Sequence, residues 1–391
     1  MREWFQKNDG NRPELIRFGL TRNMEISGIL VKNSPYYHIV LNDCENAYMH
    51  DMEIYVDVWG QLALSKLFSS RLAKGLVEAT LLELGGGIEI PTFPLNTDGI
   101  DIWGQNMTFR NIKITNFDDA IVPKPSNKGA TIATCTQDIL VEDCDVVFSV
   151  GMTIGSVPPN NHACIQNVIF RNINMDKPLK GIYVKSNPGD NGDGIIRNIT
   201  YENFVMKHPV WWAIYIGPQQ QKQPGGGGPG CMIYPINRDC PTNPRITMQD
   251  ITLRNITSTG GLLPAGILRC NSTNPCTGFV FEDVNVKSAF WDLLGYGYIT
   301  EFVEGTSTNN FPDPNFKAPG FYDNLANREL HQPSYMDHLQ ASGMELMWKF
   351  MFGGQKDKLG FYKVFEEHVE FMEDMTAALF PVEKIEELLM E

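Results

Sequence analysis

Residues 110–115 read RNIKIT, and similar short segments recur along the chain. In each of them a polar doublet comes just before a stretch in which apolar and polar residues alternate. Most copies begin about thirty residues after the previous one: RNMEIS (22–27), HDMEIY (50–55), EDCDVV (142–147), RNINM (171–175), ENFVM (202–206), RNITS (254–258) and EDVNV (282–286). Because a period of two is typical of a β-strand, each copy predicts one short strand.

The segments between these copies are rich in Asn, Asp, Gly and Pro, and no helical pattern alternates with the strands. This excludes a doubly wound α/β fold and a (β/α)8 barrel, since both alternate helices with strands. A β-sandwich is the alternative, but its strands have no reason to resemble one another. Repeats of this length bury their apolar faces by stacking on neighbours. The pattern therefore predicts an all-β solenoid of parallel strands with one coil per repeat.

Two stretches depart from the repeat. Residues 62–89 have helical spacing and end in three consecutive glycines, which predicts a helical insertion. Beyond residue 317 the chain has no cysteine, and residues 334–352 and 362–379 again have helical spacing. We therefore predict a solenoid domain at 1–316, with its insertion at about 62–89, and a helical C-terminal extension at 317–391.

The charge balance and hydropathy narrow the choice of partners. The 391 residues contain 32 Lys and Arg against 46 Asp and Glu, a formal net charge of -14. A nucleic-acid partner is excluded because its phosphates need a basic surface. No run of about 18 uncharged apolar residues occurs, so we expect no membrane span. We expect a monomer.

Cysteines and glycosylation sequons predict a secreted protein. The 8 cysteines include no CxxC pair, which is unfavourable for a zinc site. Cys231 with Cys240, and Cys270 with Cys276, are close enough in sequence to predict local disulfides. N-x-[ST] sequons begin at Asn106, Asn198, Asn255 and Asn271. No apolar signal segment follows Met1, so we expect a secreted protein with a truncated N-terminus.

Three aspartates are the candidate catalytic residues. Asp98 lies in the segment NTDGID (96–101), and the doublet Asp118-Asp119 follows about twenty residues later. Equivalent positions on neighbouring strands lie about 4.8 Å apart, so the three side chains are predicted to be neighbours. Successive residues of a regular strand point to opposite faces. For both members of the doublet to face one cleft, they must lie at a bend.

Crowded carboxylates repel one another, which raises the pKa of at least one of them. A protonated acid beside an ionised base is the requirement of glycoside hydrolysis. A solvated polar turn is the alternative for an isolated Asp doublet.

Four segments, in this order, resemble the signature blocks of the family-28 glycoside hydrolases: NTDGIDI (96–102), DDAIVPKPSN (118–127), GMTIGS (151–156) and GIYVKSN (181–187). VKNSPYYHI (31–39) also resembles the family's segment before the first block. The members of this family are polygalacturonases and their rhamnogalacturonan-cleaving relatives. The resemblance implies a right-handed parallel β-helix that hydrolyses an acidic polysaccharide, pectin. It also implies inversion at the anomeric carbon, with no metal or other cofactor.

The resemblance also implies roles for particular residues. Asp118 matches the general acid, and Asp98 and Asp119 match the carboxylates that position and deprotonate water. The implied substrate-binding residues are Asn96, Lys185 and Tyr183. Lys185 is expected to contact an anionic sugar.

Two positions depart from the family pattern. Val150 stands where the third block has a histidine, and Tyr183 stands where the fourth block has an arginine. Because both replaced groups are polar and face the substrate in polygalacturonases, the departures raise rhamnogalacturonan hydrolysis as an alternative. The sequence is also compatible with a polysaccharide lyase and with a non-catalytic carbohydrate-binding solenoid.

Overall fold

The computed structural model describes residues 12–57, 96–126, 129–160, 162–220, 230–231, 240–261, 263–288 and 297–324. Within these ranges every regular element is a β-strand. None of the described residues belongs to a helix with the length and apolarity to cross a membrane. The predicted helical insertion at 62–89 and the extension beyond residue 324 lie outside the described residues, so they stay predictions.

Two kinds of strand build each coil. The long strands are β4 (Ile39–Tyr55), β5 (Ile100–Asn116), β7 (Thr136–Phe148), β9 (Ala163–Asp176), β11 (Gly194–Lys207), β13 (Ile246–Gly261) and β15 (Cys276–Ser288). Short strands follow them: β6 (Ile121–Pro123), β8 (Met152–Val157), β10 (Ile182–Ser186), β12 (Ile214–Gln219), β14 (Gly266–Arg269) and β16 (Tyr298–Glu301). The two ends of the stack have β1 (Ile16–Gly19), β2 (Arg22–Ser27), β3 (Leu30–Lys32) and β17 (Val303–Thr308).

All pairing between these strands is parallel and joins neighbouring coils; β6 pairs with the start of β5, and β2 and β3 both pair with β4. The long strands follow the order β1-β4-β5-β7-β9-β11-β13-β15-β17, and the short strands follow β16-β14-β12-β10-β8. This confirms the predicted stack of coils. The core is a set of columns of inward side chains, such as Phe109, Val141, Phe170 and Tyr201, each fully buried.

The second residue of the recurring doublet makes the long strands bend. These residues have φ values between 51° and 58°, a left-handed conformation that Asn and Asp tolerate better than other L-residues. Their side chains also bond from coil to coil: Asn172 Nδ2 donates to Asp143 Oδ1 at 2.9 Å, and Asn203 Nδ2 donates to Asn172 Oδ1 at 2.9 Å. A second corner column contains Asn46, Asn106, Asp138, Asn167 and Asn198.

The first residue of the doublet forms a column of alternating charge. Arg110, Glu142, Arg171, Glu202 and Arg254 are successive partners across the sheet. The Arg171–Glu142 pair has an Nη2–Oε2 distance of 2.6 Å. A surface ion pair adds little stability. The alternation of sign along the column, however, disfavours pairing of a strand with the strand two coils away, because that pairing would place like charges together.

The copy at residues 22–27 occupies a different place from the other copies. Arg22 is the partner of Glu45, and Met24 is the partner of Ala47, so this copy stacks on 45–50 rather than on 50–55. Its Asn23 thus belongs to the second corner column, beside Asn46.

Disulfides close both predicted loops, Cys231–Cys240 and Cys270–Cys276. A third disulfide, which the sequence analysis did not predict, joins Cys135 and Cys164. At the C-terminal end, Glu304 accepts hydrogen bonds from the backbone N–H groups of Gly320 and Tyr322. Residues 320–322 are therefore bonded to the last coil, while the predicted division at 316 stays a prediction.

Candidate active site

The bend between β5 and β6 brings the three predicted aspartates together. Asp118 and Asp119 lie in this bend, as predicted, and Asp98 lies just before β5 on the neighbouring coil. One carboxylate oxygen from each residue lies within 4.8 Å of the others. Asp98 and Asp119 are buried, whereas Asp118 is half-buried and is the member of the cluster that faces outward.

Buried polar contacts hold the bend in place. Asn116 Nδ2 donates to the carbonyl oxygens of Thr97 and Asp119, each at 2.9 Å, and so ties the two loops together. The next coil approaches closely at Gly151, whose carbonyl accepts from the Ala120 N–H at 2.9 Å. Gly151 has a φ of 118°, and a Cβ there would lie 2.4 Å from the Gly181 carbonyl oxygen. Only glycine fits at this position.

Asp119 is held as a carboxylate. Its Oδ2 lies 2.7 Å from Lys185 Nζ, and its Oδ1 accepts a hydrogen bond from Thr153 Oγ1 at 2.7 Å. Burial alone raises the pKa of Asp119, but the ammonium groups of Lys185 and Lys124 more than offset this and lower it below its usual value. This side chain is therefore equipped to accept a proton from water.

The pKa of Asp118 is shifted in the opposite direction, upward. Burial and the negative charge of Asp119 raise the pKa of Asp118, although its carboxylate accepts hydrogen bonds from the N–H groups of Asn96 and Asp119 at 2.8 and 2.9 Å. A half-exposed carboxyl with a raised pKa is suited to donate a proton.

Asp98 has the most strongly raised pKa of the three aspartates. Burial, followed by the charges of Asp118 and Asp101, raises the pKa of Asp98 well above its usual value. Its Oδ1 has no hydrogen-bond partner among the described residues. The resemblance grouped Asp98 with Asp119, but their surroundings differ: Asp98 favours the protonated form and Asp119 the ionised form.

Lys124 and Asp101 complete the cluster, and the sequence analysis singled out neither. Lys124 Nζ lies 3.1 Å from Asp101 Oδ1, 3.5 Å from Asp119 Oδ2 and 3.6 Å from Asp98 Oδ2. Burial raises the pKa of Asp101 to about 6. The available signal was that both residues fall inside matched blocks. The oxygens of the aspartate cluster are spaced to hold a cation, but two lysine ammonium groups already face them.

The predicted substrate-binding residues lie around the same cluster. Asn96 Oδ1 accepts a hydrogen bond from Arg12 at 2.6 Å, so this oxygen already has a protein partner. Lys185 is likewise paired with Asp119. Tyr183 is 2% exposed and makes an edge contact with Tyr215, with ring centroids 5.3 Å apart. Their contacts with a sugar stay predictions.

The two departures from the family pattern flank the cluster. The Val150 N–H donates to the Asp118 carbonyl at 2.8 Å, and the Val150 side chain packs in an outer apolar group with Tyr183 and Tyr215. This region is therefore apolar at the two positions where the family pattern has a histidine and an arginine.

A sequence profile for glycosyl hydrolases family 28 matches residues 4–293. The chain belongs to this family. A probable rhamnogalacturonase C from Aspergillus flavus is 24% identical over 308 residues, covering 78% of this chain and 54% of that protein. A polygalacturonase from Cryptomeria japonica is 24% identical over 284 residues, covering 72% of this chain and 44% of that protein. The chain thus spans about half the length of the curated relatives it matches.

Structural comparison confirms the predicted fold of this family-28 chain. An exopolygalacturonase from Thermotoga maritima superposes with a TM-score of 0.53 at 18% identity, covering 78% of this chain and 56% of that one. At this identity the likeness concerns the fold alone. The described part of the chain is a right-handed parallel β-helix.

The carboxylate spacing differs from the general expectation for an inverting glycosidase. Such enzymes have carboxyl groups roughly 6.5–9.5 Å apart, which leaves room for the attacking water. Here the nearest oxygens of the three aspartates lie within 4.8 Å of one another. These oxygens are close because the doublet and Asp98 lie on directly adjacent coils.

Proposed function

We propose that this chain is a pectin-degrading glycoside hydrolase that cleaves galacturonan-type bonds by acid/base hydrolysis with inversion. The observation that carries the proposal is the opposite perturbation of two adjacent carboxyls. The pKa of Asp118 is raised and that of Asp119 is lowered, although the two residues are neighbours. Two carboxyls whose pKa values are shifted in opposite directions supply the acid and the base of a glycosidase.

In the proposed mechanism Asp118 gives its proton to the glycosidic oxygen as the bond to the leaving sugar breaks. Asp119 takes a proton from the water that attacks the anomeric carbon. Lys185 and Thr153 hold Asp119 in the ionised form needed for this step. Asp98 binds and orients the same water. Proton exchange with solvent then restores Asp118 and Asp119.

An acidic polysaccharide fits the cations beside these carboxylates, since Lys124 and Lys185 both lie next to the cluster. Rhamnogalacturonan hydrolysis is the second candidate. Val150 and Tyr183 favour it, because they remove two polar groups from the matched blocks. Relatives named for both activities match the chain. We also propose that the protein is a secreted monomer, and its three disulfides support the extracellular location.

A lyase mechanism is less well supported by the contacts. A lyase needs a base to remove a proton from the uronate ring, and Lys185 is a lysine beside the proposed site that could be considered for this role. Its ammonium group is instead paired with Asp119 at 2.7 Å and buried. A base needs a free electron pair, and an ammonium group held against a carboxylate presents none.

The test is a product screen on polygalacturonan and rhamnogalacturonan. We expect new saturated reducing ends from the wild type, and at least about a hundredfold lower turnover from Asp118→Asn. Asp145→Asn is the matched control, because Asp145 is exposed and Asn keeps the oxygen that accepts from Asn174. Products that absorb as unsaturated uronates would show a lyase instead. No cleavage of either polymer by the wild type would contradict the proposal.

A further inference from the structure

Lys180 is a buried lysine without a hydrogen-bond partner. It precedes β10, is 4% exposed, and its Nζ bonds to no oxygen in the part of the chain that the structure describes. A buried ammonium without a partner is unfavourable, because it loses its hydration and gains nothing in return. The other two lysines near the cluster, Lys124 and Lys185, both have carboxylate partners.

The strand register places Lys180 in line with the proposed acid. Ile182 is the partner of Met152, so Lys180 occupies the position equivalent to Val150 on the preceding coil. Val150 in turn follows Asp118, to whose carbonyl its N–H donates. Asp118, Val150 and Lys180 thus succeed one another across three coils. With strands about 4.8 Å apart, the backbones of Asp118 and Lys180 are about 10 Å apart along the stack of coils.

Two tyrosine rings hold the Lys180 side chain. Its Nζ lies 3.8 Å from the ring centroid of Tyr183 and 4.2 Å from that of Tyr215. Lys185 Nζ lies 4.8 Å from the Tyr183 centroid, so the two ammonium groups share one ring. Aromatic rings orient a cation but accept no conventional hydrogen bond from it. The lysine is positioned, and its N–H donors have no acceptor among the described residues; because Nζ is covered by these rings, an anion reaches it only when the rings move aside.

The charge state of Lys180 is sensitive to such an anion. Burial and the positive charge of Lys185 lower the pKa of Lys180 to about 7, while Asp119 and Asp118 act in the opposite direction. A carboxylate arriving beside the amine favours the ammonium form. Anion binding near neutral pH therefore brings a proton with it.

We infer that Lys180 is a specificity-determining residue whose ammonium group binds a substrate carboxylate two coils along the stack from Asp118. The inference rests on the proposed function, since a uronic acid is the ligand it needs. It assigns the anion contact to Lys180 rather than to Lys185, because Lys185 is already paired. It also gives Tyr183 a role: its ring holds the lysine.

Binding measurements test this directly. We would titrate the full chain with trigalacturonate and with its methyl ester, using wild type, Lys180→Met and, as control, the exposed-site variant Lys113→Met. Loss of one charge-assisted hydrogen bond predicts a ten- to hundredfold weaker affinity of Lys180→Met for the acid. Affinity for the ester should stay within about twofold. Equal affinity for the acid, or an equal loss on both ligands, would overturn the inference.

Two further measurements separate a binding role from a structural one. Calorimetry in two buffers of different ionisation enthalpy should detect proton uptake when wild type binds trigalacturonate at pH 7.5, and Lys180→Met should lose this uptake. Thermal unfolding should show Lys180→Met and Lys180→Gln to be at least as stable as wild type, since each removes an unpaired buried cation. Uptake that persists in Lys180→Met, or a clear loss of stability in both variants, would contradict the inference.

Every chain compared in these experiments carries Asp118→Asn, so that the proposed hydrolysis does not consume the ligand, and the binding result is independent of that chemistry. A chain that binds trigalacturonate through Lys180 but cleaves no pectin supports the inference and contradicts the proposed hydrolysis. A chain that cleaves pectin and binds trigalacturonate equally well without Lys180 supports the proposed hydrolysis and contradicts the inference about Lys180.

Discussion

Lys185 Nζ lies 2.7 Å from Asp119 Oδ2, so the lysine of the fourth matched block is paired with a carboxylate of the protein itself. Its charge keeps the pKa of Asp119 low against the opposing effect of burial. Lys185 thus acts on the proposed base, and any sugar carboxylate that reached it would have to compete with Asp119.

Lys185→Met should move the acidic limb of the pH–rate profile to higher pH. Removal of the ammonium lets burial dominate, so the pKa of Asp119 rises and the base loses its proton only at higher pH. The measurement is kcat/KM against pH on polygalacturonan. Lys113→Met should leave the limb where it is, and an unshifted limb in Lys185→Met would show that Asp119 is not the titrating base.

Asp98→Asn should be more stable than wild type at neutral pH. The pKa of Asp98 is raised in the folded chain, so between the unfolded value near 3.9 and the folded value the native state binds more protons. Wild-type stability therefore falls as pH rises through this window. The variant lacks this dependence, so its advantage should shrink as the pH is lowered toward 4.

Urea unfolding of both proteins at a series of pH values measures the difference. Each unit of raised pKa corresponds to about 1.4 kcal/mol of unfolding free energy. A variant that is less stable than wild type at neutral pH would mean that the Asp98 carboxylate is a net stabilising group.

The first product should have the inverted anomeric configuration, despite the short spacing of the carboxylates. Retention needs a free carboxylate oxygen as nucleophile. Thr153 and Lys185 each hold one Asp119 oxygen, which leaves a lone pair to take a proton from water but keeps the carboxylate from moving onto the anomeric carbon. The raised pKa of Asp98 favours its neutral form. Proton NMR of the anomeric signal in the first minutes of reaction decides this. A retained signal would reassign one aspartate as nucleophile.

Restoring the family pattern should shift preference toward polygalacturonan. Val150→His and Tyr183→Arg together return a polar group and a charge beside Asp118. A regained charge-assisted hydrogen bond corresponds to roughly ten- to a hundredfold in rate. The readout is the ratio of kcat/KM on polygalacturonan to that on rhamnogalacturonan, compared with each single variant. An unchanged ratio would mean that these two positions do not set the substrate.

The coil architecture was accessible from sequence because its determinants are local and repeated. Each doublet contributes one outward charge and one left-handed corner, and both recur at every coil. The copy at 22–27 resembles the others in sequence but stacks on 45–50, because both corners of a coil use Asn and Asp in the same left-handed conformation. The Cys135–Cys164 disulfide was not predicted, since its partners are adjacent only after the coils stack.

The aspartate cluster was predictable as a set, but its electrostatics were not. The matched segments fixed which carboxylates meet. Which of them is protonated depends on lysines contributed by other coils and on burial, as Asp98 and Asp119 show. Lys124 gave no signal beyond its place in a matched block, and Lys180 gave none, because their importance comes from what surrounds their ammonium groups.

Three of the glycosylation sequons have their Asn in a corner column, where the Asn side chain has a structural role. Asn106, Asn198 and Asn255 are corner residues whose Nδ2 atoms donate to the preceding coil at 2.6, 2.8 and 2.8 Å. Each is followed by a buried apolar residue and then by a threonine, so the corner supplies the Asn of the sequon and its spacing, while the threonine is an additional choice of residue. An oligosaccharyltransferase would need the same nitrogen that the folded ladder uses. A glycan on one of these nitrogens would replace one of its two hydrogens, so a glycosylated corner could keep its bond to the preceding coil only through the hydrogen that remains.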